Sequence, residues 1–293
     1  MQRLSIIGCG KVGRTLGKLW REAGVFRIGD ILNRSERSAA NAVRAIGAGH
    51  AVSAYRELQP ADVWLVATSD DSIQRCCESL AASACLRKSD IVFHCSGALA
   101  SAALEAASAK GAHTASVHPV KTFADPALAA QSFAGTWCGV EGDEPALDAL
   151  TRAVGRIGGE CFSIDPRYKT LYHAASVTVC NYLVALLDVG FEIYEKSGVE
   201  RESIARIIEP SVRETVSNVF ALGAQRALTG PVARGDTEVV AAHHSALGDW
   251  RPDIAALYAE LGRHTLKLAH KQGDADRAGL AALESFFESL DQR

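Results

Sequence analysis

The chain nowhere gathers a block of basic residues, and its formal net charge is −3. The electrostatic footprint of a nucleic-acid binder is missing, so a small-molecule partner is expected. No Cys-x-x-Cys pair occurs among the eight cysteines, Cys9, Cys76, Cys77, Cys85, Cys95, Cys138, Cys161 and Cys180. Several of them lie in apolar segments, where a free thiol packs as a small hydrophobe. Reduced, mostly buried thiols and no metal site are therefore expected. A secretory leader is lacking too, because Gln2 and Arg3 run straight into Leu4-Ser5-Ile6-Ile7 and then a glycine cluster. A cytoplasmic location is expected on that ground. One apolar stretch, Tyr172 to Tyr194, has roughly the ~20-residue length of a membrane span. His173, Asn181, Asp188 and Glu192 interrupt it, and charge is costly in hydrocarbon, so the sequence predicts a buried core helix and no membrane partner. Internal repeats and low-complexity tracts are absent as well. What is present is ordinary globular material, 48% hydrophobic and 22% charged, with ample apolar surface for a core.

The 293 residues suit two domains of ~100 to 200 residues each. Short β-type runs alternate with helical patterns through the first half, which predicts a parallel sheet covered by helices. The runs are Arg3 to Ile7, Arg27 to Leu32, Val63 to Ala67, Ile91 to Cys95, Thr114 to His118 and Thr136 to Val140. Between the first two, Val12, Leu16, Leu19 and Trp20 recur at helical spacing, completing a βαβ unit. From about Asp165 the β pattern stops, and Ser197-Gly198, Thr229-Gly230-Pro231 and Gly248-Asp249 punctuate a helical remainder. The reading is an α/β doubly wound Rossmann sheet over residues 1–164, then an all-helical domain over residues 165–293.

Gly8-Cys9-Gly10-Lys11-Val12-Gly13 is a G-x-G-x-x-G placed directly after an apolar strand and directly before a helix. In that context Gly8 allows the tight turn, Gly10 clears the approach of a pyrophosphate, and Gly13 lets helix and strand pack closely. The phosphates then meet the free N–H groups of a helix N-terminus. The second strand ends in Leu32-Asn33-Arg34-Ser35. An arginine there accommodates a ribose 2′-phosphate, where an acid would bind the 2′-OH. Arg34 offers a planar, charged fork, Asn33 and Ser35 add neutral donors, and NADP is favoured over NAD. Asp30 is the competing ribose acid, but Ile31 and Leu32 continue the apolar run and place it inside the strand. Small polar groups follow three later strands: Thr68-Ser69-Asp70, Ser96-Gly97 and His118-Pro119. Ligands in such sheets lie beyond the carboxyl ends of strands, so Thr68, Ser69, Asp70, Ser96 and Gly97 are candidates to meet the ribose or nicotinamide. An ordinary helix cap is the competing role for the acids at 70 and 71.

These motifs, with His94-x-Ser96-Gly97 and Thr229-Gly230-Pro231-x-x-Arg234-Gly235-Asp236, resemble bacterial Rossmann-like proteins that carry a helical C-terminal domain of unassigned function. More distantly the chain is similar to the superfamily of ketopantoate reductase, pyrroline-5-carboxylate reductase and 6-phosphogluconate dehydrogenase. That resemblance implies NADP-dependent hydride transfer to or from a small carbonyl, imine or hydroxy-acid substrate at a domain interface. It also implies a homodimer formed through the helical domains. The β-hydroxyacid dehydrogenase branch places an asparagine four residues after a helical lysine, whereas here Lys169 is followed by His173, and the nearest asparagine is Asn181. Helical spacing puts Lys169, His173 and Asn181 along one wall. His173 is the expected proton donor, because an unperturbed imidazole titrates near ~6.5. His118, before a proline at a strand end, is a further candidate. Because the lysine-asparagine pair is not reproduced, two other readings stay open: a non-catalytic NADP-binding regulator and a deazaflavin-dependent NADP reductase. In the helical half, Arg234 with Asp236 or His243 offers either an anion site or a salt-bridged loop. His243 and His244 point about 100° apart on a helix and make no metal pair.

Overall fold

Leu4 and Ile6 face one side of the first strand and Ile7 the other, all buried. That is the pattern of a strand covered on both faces. In the computed structural model, which describes residues 1–291, eight strands make one sheet. They are β1 (Arg3–Ile7), β2 (Arg27–Leu32), β3 (His50–Val52), β4 (Val63–Val66), β5 (Ile91–His94), β6 (His113–Pro119), β7 (Trp137–Gly142) and β8 (Glu160–Ser163). Their order is β3-β2-β1-β4-β5-β6-β7-β8, and every pairing is parallel except β6 with β7. The doubly wound parallel sheet expected from the sequence is present. The six predicted strands are all found, and β3 and β8 are additional. The three residues of β3 at the sheet edge are too few to show a period.

Six helices accompany the sheet: α1 (Lys11–Glu22), α2 (Glu36–Ile46), α3 (Asp70–Ala82), α4 (Glu105–Ser108), α5 (Pro126–Gln131) and α6 (Glu144–Gly155). Leu16 and Trp20 of α1, Ile46 of α2 and Leu150 and Val154 of α6 fill one face. Ile73, Cys77 and Leu80 of α3 and Ala107 of α4 fill the other. Each such aliphatic side chain contributes about 1.5–3 kcal/mol by leaving water, and the Trp20 indole N–H donates to the Ala153 carbonyl at 2.9 Å, tying α1 to α6. In register, Ile7 pairs with Val66, Val66 with His94 and His94 with Ser116. The carboxyl ends of β1, β4 and β5 therefore form one row, which β6 overruns by three residues to Pro119, and the sheet order reverses between β1 and β4, where such folds bind ligands.

By packing, the chain divides into Met1–Tyr182 and Leu183–Arg293. The first unit thus takes in α7 (Lys169–Ser176) and the π-helical segment Val177–Asn181. The second holds the helices that follow: α8 (Tyr182–Lys196), α9 (Arg201–Leu222), α10 (Ala224–Ala227), α11 (Pro231–Arg234), α12 (Thr237–Trp250), α13 (Pro252–Gln272) and α14 (Arg277–Leu290). Its core joins Val232, Val240, Leu266, Leu280, Leu283 and Phe287. The expectation of a buried core helix over Tyr172 to Tyr194 is corrected. The helical run Pro166–Lys196 is long and apolar enough to cross a membrane by length and composition, yet none of its most apolar stretch is buried. Hydropathy alone could not reveal this, because it registers apolar side chains and not whether the same chain supplies a surface to cover them.

Candidate functional site

Of the three motif glycines that follow β1, packing requires two and leaves the other free. Gly8 has φ +77°, and a Cβ there would lie 2.9 Å from both N and Cα of Thr68. At Gly13 a Cβ would meet Ala67 Cβ and Cys9 Sγ at 3.3 Å, whereas at Gly10 nothing lies within 4 Å. Gly8 and Gly13 therefore serve packing, and Gly10 leaves open space that the protein itself does not use. Gly10 is the N-cap of α1 and makes no side-chain cap, so the first N–H groups of the helix are left for an anion. Asn33 shapes the loop: its Oδ1 accepts from Cys9 N–H at 2.6 Å, and its amide donates to Ser38 Oγ at 3.0 Å. The Cys9 side chain turns into the core, where burial pushes its thiol up to about 12. Lys11 is exposed, and Val12 packs against the core.

Beside the loop is a recess of about 400 Å³, lined by Gly8, Gly10, Asn33, Thr68 and Ser69 together with Arg14, Arg34 and Arg75. Among the described residues, none that lines it is acidic. Arg34 is exposed at its mouth, next to Ser35, whose hydroxyl caps α2 by accepting from Ser38 N–H. Asp30 is only 3% exposed and fully engaged, accepting from Arg3 at 2.9 Å and from Gln59 N–H at 2.7 Å. It lies inside β2, as its place in the apolar run implied, and is not free to bind a ribose. Thr68 Oγ1 is buried without a partner. Asp70 opens α3 at the surface, and Ser69 is that helix's N-cap with no side-chain cap bond.

Further along the same strand ends a histidine cluster forms. His94 is fully buried. Its Nδ1 accepts from Ser96 N–H at 3.1 Å and its Nε2 lies 3.1 Å from the Ala100 carbonyl, which fixes the neutral Nε2–H form. Burial pulls its pKa down to about 4. Ser96 Oγ accepts from Ala98 and Leu99 N–H at 3.1 and 3.0 Å, setting the turn that carries Gly97. A Cβ on Gly97 would stand 2.8 Å from His118 Nε2 and closer still to His173 Nδ1; glycine is what lets two imidazoles close on this backbone. The two rings lie 5.6 Å apart, edge to face. His118 Nδ1 shares a 2.8 Å hydrogen bond with the Tyr172 hydroxyl, while His173 Nδ1 is buried with no partner. Burial, then the His173 and Lys169 charges, pulls His118 down to about 4. Burial pushes the Tyr172 phenol up to about 12.

Lys169 sits one helical turn before His173 but faces inward, 1% exposed. Its ammonium donates to Ser116 Oγ and, at 3.1 Å, to Glu141 Oε1. Glu141 in turn accepts from Ser101 N–H at 2.8 Å and Ser101 Oγ at 2.7 Å. Burial draws the lysine below its usual range against the pull of Glu141. Asn181 is not brought to this wall; it is exposed at the end of the π segment. On an α-helix residues twelve apart already lie about 120° from one another, and none of Val177–Asn181 is buried. The π segment holds the β-branched run Val177-Thr178-Val179, and the Thr178 hydroxyl donates to the Ala174 carbonyl at 2.8 Å.

Sequence reasoning missed Tyr172, Glu141, Arg14 and Arg75. Arg14 and Arg75 each lie within about one or two turns of a helix start already marked by a motif, and that offset is a usable signal. Glu141, an acid between Val140 and Gly142 in a strand, signals a buried charge in need of a partner. In the helical unit Arg234 pairs with Asp236 at 2.9 Å, both partly solvated, and His243 shares a 3.0 Å bond with Tyr258. His244 packs on Phe286.

Residues 1–119 match the Rossmann-like domain family, and residues 136–265 match a domain of unknown function (DUF2520). No curated protein matches the sequence. Among solved structures, protein TM1727 of Thermotoga maritima is 28% identical at TM-score 0.70, over 92% of this chain and 99% of that one. Protein BF3122 of Bacteroides fragilis, named as a candidate NADP oxidoreductase, is 22% identical at TM-score 0.74, over 90% and 97%. The fold is shared with a Myxococcus stipitatus imine reductase variant in complex with NAD+, 18% identical at TM-score 0.60, over 97% and 99%, and with pyrroline-5-carboxylate reductases. The chain thus carries a Rossmann-like match followed by a DUF2520 match, and it shares its fold with these solved structures.

Proposed function

We propose that this Rossmann-like chain with its DUF2520 domain is an NADP-dependent oxidoreductase. Its reaction is the transfer of a hydride between the dinucleotide and a small carbonyl, imine or hydroxy-acid substrate. One observation carries the reading. A single row of strand ends leads from an acid-free, arginine-lined recess beside an open Gly10 to two imidazoles closed on Gly97. The residues fit the dinucleotide: the α1 N-terminus and Gly10 would hold the pyrophosphate, Arg34 with Arg14 or Arg75 the 2′-phosphate, and Thr68 Oγ1 is an unpartnered polar atom beside them. When bound, NADPH supplies the hydride. His118 and His173 stand where a proton must reach the substrate heteroatom, and Lys169 anchors the helix that carries His173.

The named fold relatives support an oxidoreductase of this kind. A homodimer is part of the proposal, because Val184, Leu186, Ile207 and Phe220 of α8 and α9 leave apolar side chains uncovered. Cytoplasmic location belongs to it as well, and no membrane is invoked. Parallel calorimetric titrations with NADPH and NADH test the reading. NADPH should bind more tightly, with the preference falling in Arg34→Ala by ~10-fold or more, as for a hydrogen bond to a charged group. Equal or absent binding of both dinucleotides would overturn it.

A further inference from the structure

Among the described residues, Tyr172 makes the one side-chain hydrogen bond to either imidazole of the Gly97 pair. It precedes His173 on α7, and its hydroxyl lies 2.8 Å from His118 Nδ1 with the rings edge to face at 87°. Phe162 also packs against the Tyr172 ring, with centroids 6.1 Å apart. A phenol offers one proton and an imidazole two nitrogens, so whichever nitrogen the phenol occupies decides what the other presents.

We propose that Tyr172 is a positioning residue that donates to His118 Nδ1 and so fixes His118 as an Nε2–H donor, held against Gly97 and turned to an acceptor such as a carbonyl oxygen or imine nitrogen. The assignment rests on the oxidoreductase reading only for its acceptor. Lys169 cannot take the role, because Ser116 and Glu141 engage its ammonium. The groups that face His118 are Tyr172 and His173 in contact, with the Lys169 and Asp70 charges farther off. Its depressed pKa keeps the ring neutral at physiological pH, which leaves the two N–H tautomers as the alternatives to be decided.

The proton balance of a reduction then closes. Two electrons and a hydrogen arrive as hydride from NADPH at the electrophilic carbon, and the C=O or C=N π pair moves to the heteroatom. Nε2 gives that heteroatom its proton while Nδ1 takes the proton of Tyr172. The imidazole is then neutral in its other tautomer, until the phenolate takes its proton back from Nδ1 and Nε2 takes one from water, which returns the ring to the Nε2–H form. The phenol is pushed up to about 12, still a stronger acid than an alcohol, so the transfer to an alkoxide runs downhill.

The test is ring-nitrogen NMR of the 15N-histidine-labelled full chain without ligand, with His118 assigned from a His118→Asn variant. The expected result is a proton on Nε2 and none on Nδ1 down to about pH 5. In Tyr172→Phe the two tautomers should mix, or the proton should move to Nδ1. A proton on Nδ1 in the unsubstituted protein, which needs no variant to fold, overturns the proposal. So does an unchanged His118 spectrum in folded Tyr172→Phe. On a carbonyl and imine panel with NADPH, Tyr172→Phe should lower kcat by ~100-fold or more, the scale of general-acid catalysis, with KM little changed. An Nε2–H tautomer combined with a panel inert in the unsubstituted protein sinks the oxidoreductase reading and leaves the tautomer assignment standing.

Discussion

At Gly8 and Gly10 the same substitution separates fold from function. Alanine at Gly10 meets no protein atom within 4 Å, whereas at Gly8 it meets the Thr68 backbone at 2.9 Å from a φ of +77°. Gly8→Ala should therefore destabilise by about 1–3 kcal/mol or more, the cost of a strained left-handed residue plus a backbone clash. Gly10→Ala should melt within a degree or two of the parent and bind NADPH at least ~10-fold more weakly. Thermal melting and a dinucleotide titration decide it, and a folded, tightly binding Gly10→Ala would place the phosphates elsewhere. The glycines were legible because spacing, strand and helix agree on them. Asn33 was legible as a residue of the site, but its bond to Cys9 N–H depends on how two loops meet. Tyr172 was not legible: nothing in the pattern around residue 172 says that β6, more than fifty residues earlier, will bring His118 beneath it.

At the scale of an element, the α7 anchor is a buried ion pair whose two ends come from distant parts of the chain. Removing one partner of such a pair strands the other charge, at about 3–5 kcal/mol, while removing both together costs far less. Lys169→Met should lower stability by that amount, and adding Glu141→Gln should recover much of it, as read from urea unfolding. Additive losses would show that the pair carries no coupling. Strands β1, β2 and β4 to β7 were readable from alternation and apolar runs. β3 was not, being three edge residues, and neither was the π segment. Steps of four drift by about 40° each around a helix, so three of them carry Asn181 well round from Lys169, and nothing in the pattern says that Val177–Asn181 bury no residue.

Two properties concern the molecule as a whole. The first is its response to acid. His94 and His118 are held near about 4 in the fold, against ~6.5 in an unfolded chain. Between those values the unfolded state takes up protons that the native state refuses, so stability is fully present above ~6.5 and is lost as pH falls toward 4. Urea midpoints at pH 7 and pH 5 should differ, and His94→Asn should shrink the difference if it folds; a flat profile would mean that these rings titrate freely. The second is assembly. On α8 and α9, Val184 is 68% exposed, Ile207 56% and Phe220 86%, and among the described residues these two helices bury only Ile204. The homodimer proposed above would cover this apolar area, and a stable interface removes roughly 800 Å² per partner from water. Sedimentation should therefore report twice the chain mass of 31.1 kDa. Introducing Val184→Asp and Phe220→Asp together should place a charge in the dry centre of that contact and return the single-chain mass, because an unpaired buried charge costs several kcal/mol. A parent that already sediments as one chain would leave the apolar face without the partner proposed for it.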